Sequence, residues 1–268
     1  MDLTIPRVMG ILNVTPDSFF DGGKFNTETT ILQQAEKMLA DGATFIDVGG
    51  YSSRPGAEDI SEQEELSRSI GAIKVIIKKF PKAIISIDTF RSEVARQAIL
   101  EGAAMINDIS AGDHDQNMFD TVARLKVPYI IMHMRGTPQT MNKLTAYENA
   151  IIEITSALQQ KIYKLQSLDI MDVIVDPGFG FAKNPEQGFH VLANLKYFKA
   201  LGKPILVGLS RKSMIWKTLE MTSGDALNGT TSLNTIAVLQ GASILRVHDV
   251  KEAIDIVKLC IKLQAQEQ

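Results

Sequence analysis

The chain has 268 residues, 45% hydrophobic and 22% charged, which is ordinary globular usage with ample apolar material for one large core. Its 28 basic and 31 acidic residues leave a net charge of -3, and no basic run beyond Lys78-Lys79 marks a nucleic-acid or membrane surface. The single cysteine, Cys260, excludes an intrachain disulfide, and neither a signal-like start nor an apolar stretch of about eighteen residues occurs, so the expectation is a soluble cytoplasmic protein.

Short runs rich in Val, Ile and Met, bounded by Gly, Asp, Asn or Pro, predict strands at residues 8–14, 45–49, 83–88, 105–109, 129–134, 172–176, 205–209 and 243–248. Their nearly continuous apolar character is that of parallel strands covered on both faces. Helical spacing intervenes at 31–40, 62–79, 92–101, 147–168, 185–201 and 251–264, and a further helix opens at Lys212. Strict alternation in eight units over this length predicts one domain, residues 1–268, folded as a single (β/α)8 TIM-type barrel; a doubly wound open sheet is the alternative that alternation alone leaves standing. The polar segments 15–26 and 50–60 are long for βα loops and point to binding or gating.

Polar residues choose between the two architectures. Asn13, Asp47, Asp88, Asn107, His133, Asp176, Ser210 and His248 each fall at or near the C-terminal end of a predicted strand, the rim where (β/α)8 barrels build active sites. In the last strand, period-two geometry puts Arg246 and His248 on one face, suited to phosphate oxygens. Asp176-Pro177-Gly178-Phe179-Gly180-Phe181 sets a carboxylate at a sharp glycine turn, where it can accept two parallel hydrogen bonds from a planar N–C–N edge; the same residues also serve ordinary turns. Lys212 can belong to a polar ring around a heterocycle or act as a Schiff-base nucleophile of an aldolase. The four histidines lack zinc-site spacing, and His133, between Met132 and Met134, reads as a packed residue of the barrel interior. Arg135 and Thr137-Pro138 read as loop chemistry, and Trp216 and Cys260 as packing residues.

The ordered segments Met9-Gly10-Ile11-Leu12-Asn13-Val14-Thr15-Pro16-Asp17-Ser18-Phe19, Asp47-Val48-Gly49-Gly50-Tyr51-Ser52-Ser53-Arg54-Pro55-Gly56, Ser86-Ile87-Asp88-Thr89, Ile106-Asn107-Asp108, Asp176 to Phe181, Ser210-Arg211-Lys212 and Arg246-Val247-His248-Asp249 resemble the dihydropteroate synthases. The resemblance spans the chain. It implies that Asp88, Asn107, Asp176 and Lys212 hold a pterin ring. Asn13, Arg246 and His248 take its diphosphate, with Mg2+ as cofactor beside Asn13, and Asp21 in the first loop orders metal and diphosphate. Ser53, Arg54, Pro55, Phe181, Ser210 and Lys212 form the pocket for 4-aminobenzoate. Asp21, Lys212, Arg246 and His248 are then the catalytic candidates, and a homodimer is implied; the apolar C-terminal segment 254–263 suits that interface and packing against the barrel equally well.

The sequence departs from the family pattern at Tyr51 and Ser53, where glutamate and threonine are common, at Phe20, where serine is frequent, and at Ala182, where glycine is usual. Two rivals remain at this stage. A methyltransferase passing a methyl group from methyltetrahydrofolate to a corrinoid protein shares the barrel but needs no diphosphate site. A non-catalytic pterin-binding regulator keeps the pocket and lacks turnover.

Overall fold

The computed structural model describes residues 2–14, 24–52 and 59–266. Eight parallel strands form one sheet: β1 (Arg7–Asn13), β2 (Phe45–Gly49), β3 (Ile84–Asp88), β4 (Met105–Asp108), β5 (Tyr129–Met132), β6 (Val173–Asp176), β7 (Leu206–Val207) and β8 (Ile244–Val247). Their order is β6-β5-β4-β3-β2-β1-β8-β7, and the ends of that order meet through a single parallel bridge between Val175 and Ile205. The Val175 amide donates to the Pro204 carbonyl at 2.9 Å across the same seam. The sheet is therefore a nearly closed (β/α)8 barrel, and the open doubly wound alternative is excluded.

Helices α1 (Lys24–Ala40), α2 (Glu62–Lys79), α3 (Ser92–Leu100), α4 (Met118–Leu125), α5 (Ala150–Gln166), α6 (Pro185–Ala193), α7 (Ser213–Thr218), α8 (Leu227–Leu239) and α9 (Val250–Gln264) fill the connections. The bounds of α2 match the expectation because its ends are chemically marked. Ser61 accepts from the Glu64 amide, three glutamates occupy the first turn, and Lys78 and Lys79 the last. By contrast, the single helix expected over 185–201 is two segments. An Asn184–Gln187 capping box starts α6, and the Asn194 side chain donates to the His190 carbonyl at 2.8 Å, so the chain continues as a 3-10 turn over Leu195–Leu201. Helix α1 starts earlier than expected, taking in Lys24–Asn26, while α4 and α8 carry segments for which the sequence reading named no helix.

Strand alternation separates two cores. Facing outward, Ile46, Val48, Ile85, Ile87, Val207 and Leu245 pack against the helices. Facing inward, each strand contributes one residue to a hydrocarbon layer of Met9, Phe45, Ile84, Met105, Ile130, Ile174, Leu206 and Ile244. Two residues further along, the inward positions of five of the eight strands turn polar: Asp47, Ser86, Asn107, Asp176 and Arg246. The bottom of the barrel is thus plugged with hydrocarbon, and polar chemistry is confined to the C-terminal mouth.

Asp108 pins one strand end of that mouth. It is fully buried, and its carboxylate accepts from the Ser110 amide and hydroxyl at 2.7 Å each, the Gly112 amide at 2.8 Å and the Tyr129 hydroxyl at 2.6 Å. Burial still raises its pKa, opposed by these bonds. Tyr129→Phe removes one bond to a buried charge, so it should cost about 1.5–3 kcal/mol in urea unfolding. A loss within experimental error would show that Asp108 does not depend on Tyr129.

Candidate active site

Arg246 projects from β8 between two carboxylates. Its Nε donates to Asp47 Oδ2 at 2.6 Å and its Nη2 to Asp88 Oδ2 at 2.5 Å, while Asn107 Nδ2 donates to the same Asp47 oxygen at 2.9 Å. Strands β8, β2, β3 and β4 are thereby tied by side chains at one level. Burial pulls the guanidinium pKa down, but Asp47 and Asp88 outweigh it and hold it above its ordinary value. Burial raises Asp88 above the usual carboxylate range; Arg246 opposes the shift, and Asp47, Glu65 and Asp108 reinforce it. In the same layer the buried atoms Asp47 Oδ1 and Ser86 Oγ have no hydrogen-bond partner among the described residues. Burying such atoms costs free energy that a polar ligand or water recovers.

Asn13 ends β1 beside Gly49, the last residue of β2. A methyl group on Gly49 would lie 3.5 Å from Asp88 Cβ and 3.6 Å from Asn13 Oδ1, so Asn13 and Asp88 flank this one glycine. On the other side of the mouth, the Asp176 carboxylate accepts from the Gly178 amide at 2.7 Å; burial raises its pKa, and Lys212 and Arg246 lower it. Gly178 stands at φ +74°, and a Cβ there would come within 2.1 Å of the His133 carbonyl oxygen, so this turn requires glycine.

Lys212 sits at the head of α7 with its Nζ 4.4 Å from the centre of the Phe181 ring. Ser210 and His248 pair across β7 and β8: Ser210 Oγ lies 2.9 Å from His248 Nδ1 and accepts from the His248 amide at 3.2 Å. Arg211 points elsewhere, forking onto Asp249 at 3.0 and 2.9 Å and donating to the Ser223 and Gly224 carbonyls. It is a brace between two loops, set between two residues of the mouth.

Of the residues singled out in the sequence, Asn13, Asp88, Asn107, Asp176, Phe181, Ser210, Lys212, Arg246 and His248 all lie at this end of the barrel. Asp17, Asp21, Ser53, Arg54 and Pro55 lie outside the described residues. His133 is buried as expected but is not a barrel-interior residue. It has the outward parity of Ile131 and packs behind the mouth, with its Nδ1 3.1 Å from Lys183 Nζ and its ring against Tyr147. Two residues, one within the site and one behind it, went unassigned in the sequence. Asp47 was visible as a polar residue between the outward Ile46 and Val48, but its bond to Arg246 joins residues 199 apart. Lys183 follows the Phe181 motif with nothing local to mark it as buried.

The pterin binding enzyme family matches residues 9–248. Over 261 residues the chain is 42% identical to the dihydropteroate synthase of Haemophilus influenzae, covering 97% of this chain and 94% of that protein. Over 255 residues it is 45% identical to the dihydropteroate synthase of a Synechocystis species, covering 94% and 88%. The chain belongs to the dihydropteroate synthase family. Among solved synthases, that of Yersinia pestis with a sulfonamide drug superimposes with a TM-score of 0.93 at 38% identity, covering 99% of this chain and 96% of that one. That of Xanthomonas albilineans in complex with 7,8-dihydropteroate gives 0.89 at 35% identity, with the same coverage. Membership removes the aldolase and corrinoid methyltransferase alternatives.

The Arg246 network makes a stability prediction distinct from any effect on turnover. Arg246→Met leaves Asp47 buried without its cation and should cost about 3 kcal/mol in urea unfolding, the lower end of the usual range because the guanidinium is partly exposed. Asp47→Asn in that background should restore much of the loss. Additive effects in the double variant would contradict the pairing.

Proposed function

We propose how this synthase divides its work around the mouth. The reaction joins 6-hydroxymethyl-7,8-dihydropterin diphosphate to 4-aminobenzoate: the methylene C–O bond breaks, a C–N bond forms, the amine gives up a proton, and 7,8-dihydropteroate and diphosphate leave. The observation that carries the reading is a buried polar layer, with two unpartnered atoms, above a barrel floor of hydrocarbon. Such a layer suits a flat heterocycle with many donors and acceptors. Asp176 accepts from the 2-amino edge of the pterin, Asn107 and Asp88 meet its other polar atoms, and Lys212 covers the ring beside Phe181.

At the rim, Asn13 and His248 bind the diphosphate, with Ser210 fixing the His248 imidazole by its Nδ1 contact. Arg246 serves the same end, with a difference from the sequence reading. It is already engaged by Asp47 and Asp88, so its charge acts from a fixed position inside the barrel. Among the described residues no group of three His, Cys, Asp or Glu side chains could hold a metal ion. A single oxygen, Asn13 Oδ1, fits Mg2+, which takes most of its ligands from substrate phosphates and waters. Bound there, Mg2+ supplies charge that stabilises the departing diphosphate, and Asp21 is the first-loop residue that orders it. Ser53, Arg54 and Pro55 join Phe181, Ser210 and Lys212 around 4-aminobenzoate, whose neutral amine needs no strong base.

The chain works as a cytoplasmic homodimer in this reading. No described helix is long and apolar enough to cross a membrane. Helices α8 and α9 pack together and expose Ile236, Leu239, Leu259 and Leu263, an apolar face suited to a second copy.

Two measurements test the reading. Purified protein with the pterin diphosphate and Mg2+ should release diphosphate only when 4-aminobenzoate is added, with 7,8-dihydropteroate identified by mass; pterin binding without product would favour the regulator. Pterin affinity should also depend on pH. An ionised carboxylate accepts from the ring's N–H groups with both oxygens and more strongly than a protonated one, and burial raises both Asp88 and Asp176. Affinity should therefore fall on acidification from well above pH ~4, the ordinary aspartate value. A midpoint at or below that value would separate these carboxylates from ring binding.

A further inference from the structure

We propose that Lys183 is a positioning residue for the 4-aminobenzoate half of the site, acting from behind through the backbone of the loop that joins β6 to α6. The inference rests on the reading above that Phe181 borders the aminobenzoate pocket. Lys183 lies behind the mouth; what it holds is the backbone of the loop that carries Phe181.

Its side chain is 7% exposed, and no carboxylate hydrogen-bonds to it. The Nζ donates instead to the Gly178 carbonyl at 3.0 Å, the Phe181 carbonyl at 3.0 Å and His133 Nδ1 at 3.1 Å, with the His133 carbonyl further off at 3.5 Å. Three ammonium protons thus meet three close acceptors, two within the loop and one just past the end of β5. Burial lowers the lysine pKa to about 7, partly offset by Asp176. His133 is lowered to about 3 by burial first and then by Lys183 and Arg135, so its ring is the neutral acceptor the lysine requires.

The loop needs such an anchor because its own backbone preferences are weak. Gly178, Gly180 and Ala182 stand at φ +74°, +75° and +49°, alternating with residues of ordinary φ. Chain of this kind has many competing conformations when free. Lys183 collects the carbonyls of residues 178 and 181, and the Tyr147 hydroxyl donates to the carbonyl of Ala182 at 3.0 Å. With those carbonyls held from behind, the Phe181 ring is fixed against Lys212. Two of the pterin contacts have separate supports: Asp88 and Asn107 are set by Arg246 and Asp47, on strands the lysine does not touch, while Asp176 is tied to the loop only through the Gly178 amide.

The test is steady-state kinetics of Lys183→Met, which keeps the length of the side chain and removes all three donors. We expect the KM for 4-aminobenzoate to rise about tenfold and the KM for the pterin diphosphate, half of whose contacts lie off this loop, by no more than about threefold, with kcat within about twofold of wild type. His133→Leu, a smaller change that removes one acceptor, should shift the aminobenzoate KM in the same direction, and His133→Gln, which restores an acceptor, should recover it. His133→Leu and His133→Gln carry the test if Lys183→Met does not fold, as judged by circular dichroism and thermal melting. A folded Lys183→Met with an unchanged aminobenzoate KM would overturn the proposal. So would equal rises in both KM values that track a loss of melting temperature, since that is the mark of a merely structural residue. A wild-type protein inactive with both substrates would instead sink the synthase reading on which the proposal rests.

Discussion

The mouth of the barrel depends on one shared cation. Arg246 stands between Asp47 and Asp88, and Asn107 hangs from the Asp47 oxygen that Arg246 also uses. Without the guanidinium, two buried carboxylates would repel each other in a medium that screens poorly, and one would take up a proton. With it, side chains from four strands are locked at one level before any ligand arrives. Such preorganisation lets a polar site act on a bound substrate without first rearranging its own dipoles. The hydrocarbon layer of Met9, Phe45, Ile130 and Ile244 below closes the floor against water and keeps the pairing strong.

The fold was legible because its signals are local. Alternation of strand and helix, the caps of α2, and the polar residues at strand ends all lie within a few residues of one another. The inward parity of Arg246 and His248 was readable for the same reason. What the sequence obscured lies in tertiary contacts. Nothing near Arg246 reveals that its partners come from β2 and β3, so it read as an arginine turned toward phosphate. His133 between two methionines read as interior, yet it keeps the outward parity of Ile131 and packs behind the mouth against Lys183. The break at Asn194 was missed because a helical period continues through it, while a side-chain bond to the His190 carbonyl ends α6.

The departures from the family pattern sort by what surrounds them. Ala182 takes a left-handed conformation that glycine adopts without strain, and the Tyr147 bond to its carbonyl helps hold it there. Tyr51 is almost buried, edge-on to Phe90, with the Arg91 guanidinium over its ring and Gln139 donating to its hydroxyl at 3.2 Å. An aromatic tether thus stands where the family usually has a carboxylate. Phe20 and Ser53 lie outside the described residues.

The barrel is a ring with one weak joint. Seven of its strand pairs are continuous ladders, but β6 and β7 meet at one bridge, and β7 is only two residues long. Backbone opening requires fewest broken bonds there, so thermal widening of the mouth concentrates along that line. The line runs between Asp176 on one side and Ser210 with Lys212 on the other, so breathing at the joint alters the span between these two sides of the mouth. The gauge of the pocket is therefore set less by the rigid Arg246 side than by the slack opposite it.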